Sequence, residues 1–192
     1  MTELEVYINA YFGVQQEYVR QLAQKFTLTP LSKDAYFVES GKYCERLSFV
    51  KSGHLRVFTS HEDREITQWV SSPGEFITDL SSLIFKTPAR WTIQAITGCE
   101  LYTINRDNYQ QIGQLIPQWQ ELEKLFIAKC FLALEDRVHS FLALTAEERY
   151  QRLFEHNKAL FNQVPLMYLA SMLGMTPETL SRIRRKNSEP DS

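Results

Sequence analysis

The sequence predicts an α+β chain: an N-terminal jelly roll or β-roll over 1–106, a long helix over 107–137 and a helix-turn-helix over 138–192. Three observations carry this. Between residues 35 and 105, short apolar-alternating runs are separated by glycine-containing turns. Leu115, Trp119, Leu122 and Phe126 then step by 4, 3 and 4, a helical seam. Residues 165–186 carry two short amphipathic patterns joined at Gly174.

Composition sets the frame. The 192 residues are 44% hydrophobic, 12% aromatic and 23% charged. That is ordinary for a folded domain able to bury a core without disulfides. The net charge of −2 excludes a globally basic coat but not a local basic patch. Cys44, Cys99 and Cys130 are three scattered cysteines with no CxxC pair, which reads as free, buried thiols in a reducing cytosol. The acidic N-terminus lacks the basic region of a signal peptide, and no apolar run approaches the ~18 residues needed to span a bilayer. The expected location is cytoplasmic, with no membrane partner.

Residues 3–26 read as helical, with Leu4, Ile8 and Phe12 on one face and Val19, Leu22 and Phe26 continuing after Gly13. Thr27 to Asp34, with Pro30, reads as a connection. Strands follow at 36–38, 47–50, 55–58, 66–70, 91–96 and 101–104, at a spacing that indicates a sandwich or jelly roll. Helical period returns over 107–134, with Pro117 suited to a first turn. The seam residues Leu115, Trp119, Leu122 and Phe126 can pack on the chain's own β-domain. A large tryptophan in a seam continuing past one small domain favours a partner helix from a second copy. Val138, Phe141, Leu142, Leu153, Phe154, Leu160 and Phe161 are core candidates in a further helical stretch. Ser188 to Ser192 reads as a polar tail.

The C-terminal segment is the most informative. Leu166, Leu169, Ala170 and Leu173 form one apolar face, with Ala170 small where a second helix would cross. Gly174 suits the left-handed end of the first helix. Thr176-Pro177-Glu178 is a helix start, with a hydroxyl cap, proline at the first position and an acid on the dipole. Leu180 and Ile183 turn inward, leaving Glu178, Thr179, Ser181, Arg182 and Arg185 outside. Arg182 can bond guanine bidentately and Glu178 can accept from a cytosine amine. Thr179 and Ser181 can reach phosphates or base edges, and Arg185 and Lys186 can neutralise phosphates. A basic helix end is also what the macrodipole favours in any solvated helix.

The stretch LASMLGMTPETLSRIRRK resembles the helix-turn-helix of the Crp/Fnr transcription regulators, and the likeness extends upstream. Gly41 and Gly53 flanking Leu47 to Val50 resemble the paired glycines of that family's cyclic-nucleotide-binding-type domain. Ser72-Pro73-Gly74-Glu75-Phe76 resembles the start of its phosphate cassette, and the 107–137 helix falls where its dimerisation helix falls. The resemblance implies a bacterial, homodimeric regulator that reads a palindrome in double-stranded DNA, with RNA polymerase and a small-molecule effector as further partners. It gives Glu178 and Arg182 the base-reading positions and Thr176 and Thr179 the phosphate contacts. Pro177 replaces an arginine found in members that read DNA like the cyclic-AMP receptor, so the target sequence should differ. With few residues after Lys186, the resemblance leads us to expect a second domain that is winged-helix-like without a full wing.

The resemblance also offers a ligand site at Gly74, Glu75 and Arg90. Cyclic-nucleotide-binding members hold the phosphate with an Arg-Ser or Arg-Thr pair. Alignment on Ala95 and Cys99-Glu100 puts Ala89 and Arg90 there, displacing the arginine by one residue, which on a strand turns it to the other face. Tight cyclic AMP binding is therefore not expected. His54, His61, His139 and His156 lack metal spacing, and no cysteine lies in the first 43 residues, so no metal, cluster or other cofactor is expected. No nucleophile or phosphate-loop signature points to an enzyme. The alternative is a small-molecule-binding β-roll whose C-terminal helices dock a protein instead of DNA.

Overall fold

The computed structural model describes residues 1–188; the rest of the expected polar tail lies outside the described residues. The chain opens with α1 (Glu3–Phe12) and α2 (Gln16–Ala23). A capping box between Thr2 and Glu5 starts α1, and Gly13 ends it in the left-handed conformation, splitting the expected run.

The roll follows as β1 (Thr27–Leu31), β2 (Tyr36–Val38), β3 (Arg46–Ser52), β4 (Leu55–His61), β5 (Arg64–Ser71), β6 (Phe76–Ile77), α3 (Leu80–Phe85), β7 (Thr92–Ala95) and β8 (Cys99–Asn105). Two four-stranded antiparallel sheets form, in the orders β1-β8-β3-β6 and β2-β7-β4-β5. Phe37, Val50, Leu55, Ile93 and Leu101 fill the space between them. Gly53 turns β3 into β4 at φ +85°, where a Cβ would collide with the Gly98 carbonyl oxygen. Cys44 and Cys99 are buried free thiols, and Cys130 is half-buried.

The segment 27–34 is not a plain connection. Thr27–Leu31 pairs with β8 along the edge of the first sheet, with Pro30 opposite Glu100. An edge strand has a side that needs no ladder donor, so proline is tolerated there.

The helical run after the roll is also divided. It forms α4 (Arg106–Leu115) and α5 (Trp119–Ala143). Ile116, the residue before Pro117, is extended at φ −118° and ψ 109°. Clash with the proline ring disfavours helical backbone at that position. Residue 137, where the long helix was expected to end, therefore lies inside α5.

The expected dimer seam divides into buried and partly buried residues. Trp119 and Phe126 are 4% and 0% exposed. They pack at a tilt against Phe12 of α1, at centroid distances of 5.0 and 4.7 Å. Leu115 and Leu122 pack partly buried against the same cluster. The aromatic layer of α1 and α2 covers this flank, so Trp119 and Phe126 hold α5 to its own chain, while Leu115 and Leu122 stay only partly covered. The neighbouring flank is exposed: Ile127, Phe131, Leu134, Val138 and Phe141 repeat the 4, 3, 4, 3 spacing and are exposed, as are Leu125, Leu132 and Leu142. Val138, Phe141 and Leu142 are thus not core residues.

The last part of the described chain is α6 (Ala146–His156), α7 (Leu160–Gln163), α8 (Leu166–Met172) and α9 (Pro177–Ser188). Tyr150, Phe161, Leu169, Leu173, Leu180 and Ile183 form its core. Val70 and Ile96 of the roll belong to the same cluster, so this bundle sits directly on the roll.

Candidate nucleic-acid interface and ligand cavity

The bihelical unit is built as its residues dictate. Leu169 and Ala170 of α8 are fully buried, and α9 packs across them through Leu180 and Ile183. Gly174 turns the chain at φ +65°, and the Met175 N–H donates to the Ala170 carbonyl at 3.0 Å. The turn is fixed from outside as well. A Cβ on Gly174 would lie 2.6 Å from Cε1 of Phe141.

The Thr176 hydroxyl accepts the Thr179 N–H at 3.2 Å and lies 3.2 Å from the Thr179 hydroxyl. Both threonine hydroxyls are thereby engaged in starting α9. Glu178, Ser181, Arg182 and Arg185 stand exposed on its outer face. The Glu178 backbone N–H and the Thr176 hydroxyl hold the Glu178 carboxyl below the usual carboxylate range. Among the described residues, the side chains of Ser181, Arg182 and Arg185 make no hydrogen bond or ion pair. Lys186 instead bonds Glu147 of α6 at 2.9 Å, an exposed pair of small energetic worth.

The bundle is held to the roll by contacts that sequence reasoning missed. The Ser171 hydroxyl accepts the Thr67 N–H of β5 at 2.9 Å. Arg56, buried in β4, lies between the rings of Phe58 and Tyr168 at 4.2 and 4.0 Å and bonds Thr67 and Glu65. His54 joins Ser72 to Gln163 of α7. From α5, Arg137 donates to the Met172 carbonyl at 2.6 Å; from α6, Arg149 donates to the Leu173 carbonyl at 2.9 Å. These cations satisfy the free carbonyls at the end of α8 and complement its dipole. An arginine inside the apolar run Leu55-Arg56-Val57-Phe58 was the one sequence signal of this junction.

The expected ligand residues separate. Gly74 shapes a turn at φ +89°, with its N–H on the Val50 carbonyl. The Glu75 carboxylate accepts the Trp69 indole N–H at 3.1 Å and the Ser72 N–H at 3.2 Å, and burial pushes its carboxyl up. Arg90 is exposed. Glu75 and Arg90 line a cavity of about 660 Å³ between the roll and α5; Gly74 does not. A second cavity of about 440 Å³ opens between the roll, α5 and the bundle. Trp69, Glu75, Ala133 and Arg137 line both.

A sequence model of the cyclic nucleotide-binding domain matches residues 28–114. No curated protein matches the chain in sequence. Among solved structures, FixK2 from Bradyrhizobium japonicum superposes with a TM-score of 0.70 at 20% identity, covering 84% of this chain and 83% of that one. The c-di-GMP-responsive global regulator CLP of Xanthomonas campestris gives 0.67 at 18% identity, over 90% and 91%. The cAMP-bound regulatory domain of Toxoplasma gondii PKA gives 0.55 at 18% identity, over 64% and 46%. The chain thus spans less than half the length of that domain, and 40% of PfPKA-R. The fold is a cyclic-nucleotide-binding-type β-roll followed by a long helix and a helical bundle. No helix among the described residues is long and apolar enough to cross a membrane.

Proposed function

We propose that the chain is a homodimeric, sequence-specific DNA-binding transcription regulator of Crp/Fnr type. The carrying observation is the outer face of α9. Glu178, Ser181, Arg182 and Arg185 are presented together, on a helix whose other face is buried on α8, and the three uncharged or cationic members have no partner within the described chain. A helix so mounted suits the major groove. Arg182 would read guanine, Glu178 would accept from a cytosine amine, and Arg185 would meet phosphate. Thr176 and Thr179 would add phosphate contacts only by exchanging their present bonds, and Lys186 by leaving Glu147.

The bare flank of α5 supplies the second copy's seat. A helix apolar on both flanks belongs in an interior, and the 4, 3, 4, 3 spacing from Ile127 to Phe141 is that of a helix pair. A two-fold dimer would set two copies of α9 about 34 Å apart, over successive major grooves of a palindrome. Likeness to FixK2 and CLP over most of both chains supports this reading. On it the chain is a cytoplasmic regulator and not an enzyme, and it would meet RNA polymerase and a small-molecule effector.

Fluorescence anisotropy against a selected palindrome and a scrambled duplex, at several salt concentrations, is the test. Binding should fall steeply with salt. Arg182→Ala should cost about 1–3 kcal/mol on the palindrome and relax preference at one base pair per half-site. An unchanged ratio of specific to scrambled binding would remove Arg182 from base reading. The likeness to PKA regulatory domains favours one other reading, a ligand-binding roll whose C-terminal helices dock a protein. Salt-insensitive indifference to every duplex would favour it.

A further inference from the structure

The 660 Å³ cavity is of a size that holds a drug-sized molecule. Its walls are largely carbon, from Tyr11, Phe76, Trp91, Phe126 and Leu134. Two backbone donors beside it, those of Ser82 and Arg90, are already occupied. Asp79 is 4% exposed, and its carboxylate accepts the Ser82 N–H at 2.9 Å, the Ser81 hydroxyl at 2.7 Å and the Arg90 N–H at 2.9 Å. This buried carboxylate is an internal anion in the segment that the sequence likens to a phosphate cassette. A phosphate brought to the same donors would meet like charge at close range, in surroundings of low dielectric. The Arg-Ser pair that would neutralise it is absent: Ala89 is buried there and carries no charge.

The other polar groups of the lining are mostly engaged. Lys129 donates to the carbonyls of Ala10 and Tyr11. Arg137 donates to Met172, and Glu75 holds Trp69 and Ser72. Arg90 differs. Its guanidinium stands exposed at the mouth and makes no hydrogen bond or ion pair among the described residues.

We propose that this cavity binds an unphosphorylated, mainly apolar small molecule bearing one acidic group. The body would lie against Phe76, Trp91, Phe126 and Leu134, and the acid would pair with Arg90. A cyclic nucleotide does not fit the site, although the domain matches the cyclic nucleotide-binding model. The inference does not depend on the reading of α9, because no residue of α9 lines the cavity.

Two dyes with nearly the same aromatic body test it on the full chain: anilinonaphthalene sulfonate, which is an anion, and phenylnaphthylamine, which is neutral. Both should bind saturably, one dye per chain. Arg90→Gln should weaken the sulfonate about fivefold and leave the neutral dye unchanged, as expected for a half-exposed ion pair. Ala133→Trp, at an exposed helix position that lines the cavity, should abolish both while the thermal melt stays in place. Cyclic AMP in large excess should displace neither. The proposal is overturned if cyclic AMP displaces the dyes, if dye binding survives Ala133→Trp, or if Arg90→Gln affects both dyes alike.

Discussion

Phe131→Ala separates a bare interface from a filled core. Phe131 sits on the uncovered flank of α5, 59% exposed in the single chain. Fully burying a phenylalanine side chain contributes about 1.5–3 kcal/mol, so covering the exposed part is worth about 1–1.5 kcal/mol per copy. A two-fold interface counts each residue twice, which gives about 2–3 kcal/mol, or a dimer dissociation constant raised about 30- to 150-fold. Phe126, on the covered flank, is 0% exposed against Phe12 and Phe76. Phe126→Ala should instead cost about 3–5 kcal/mol of folding stability through the cavity it leaves. Sedimentation equilibrium over a wide concentration range reads the first effect. Urea unfolding reads the second, at a concentration where the wild type is already monomeric, so that mass action does not mix the two. The assignment of flanks fails if Phe131→Ala leaves the dissociation constant at the wild-type value, or if Phe126→Ala separates the subunits without loss of fold.

Gly174→Ala should destabilise the C-terminal bundle by about 2 kcal/mol or more, from left-handed backbone strain and the clash with Phe141. Adding Phe141→Ala should recover only the clash, and a fully neutral single variant in urea unfolding would contradict the close approach. Lys186→Ala should weaken specific and scrambled DNA alike and lower the salt slope by about one. An effect confined to one duplex in the anisotropy titration would contradict a phosphate role. Burial pushes the Cys130 thiol up to about 11, so its alkylation by iodoacetamide should keep rising from pH 8 to pH 10. A plateau near the ordinary cysteine pKa, about 8.5, would show an open thiol. Burial likewise pushes Tyr11 up to about 12. Both groups hold protons in the folded chain that the unfolded chain has lost, so stability should fall as pH rises from about 9 toward these values. Urea midpoints that stay level across that range would refute the shared cause.

Local chemistry alone determined much of this molecule. Alternation and glycine turns place six of the eight strands, because a half-buried strand must alternate and a tight turn needs a residue without a Cβ. Gly174, Thr176 and Pro177 determine the turn and the start of α9, and the spacing of Leu180 and Ile183 decides which side chains face outward. Tertiary structure decided the rest. Pro30 reads as a breaker until an edge strand gives its missing N–H somewhere harmless. The seam from Leu115 to Phe126 and the seam from Ile127 to Phe141 are equally apolar in sequence. Only the aromatic layer of α1 selects which one is buried, since helical periodicity defines a stripe without naming the surface that covers it. The same holds for charge. Asp79 and Arg90 are eleven positions apart and look unrelated, yet the turn around α3 aims the backbone donors of Ser82 and Arg90 at one carboxylate. That choice, fixed by distances no pattern in the sequence encodes, leaves the Arg90 guanidinium free and occupies two donors beside the cavity.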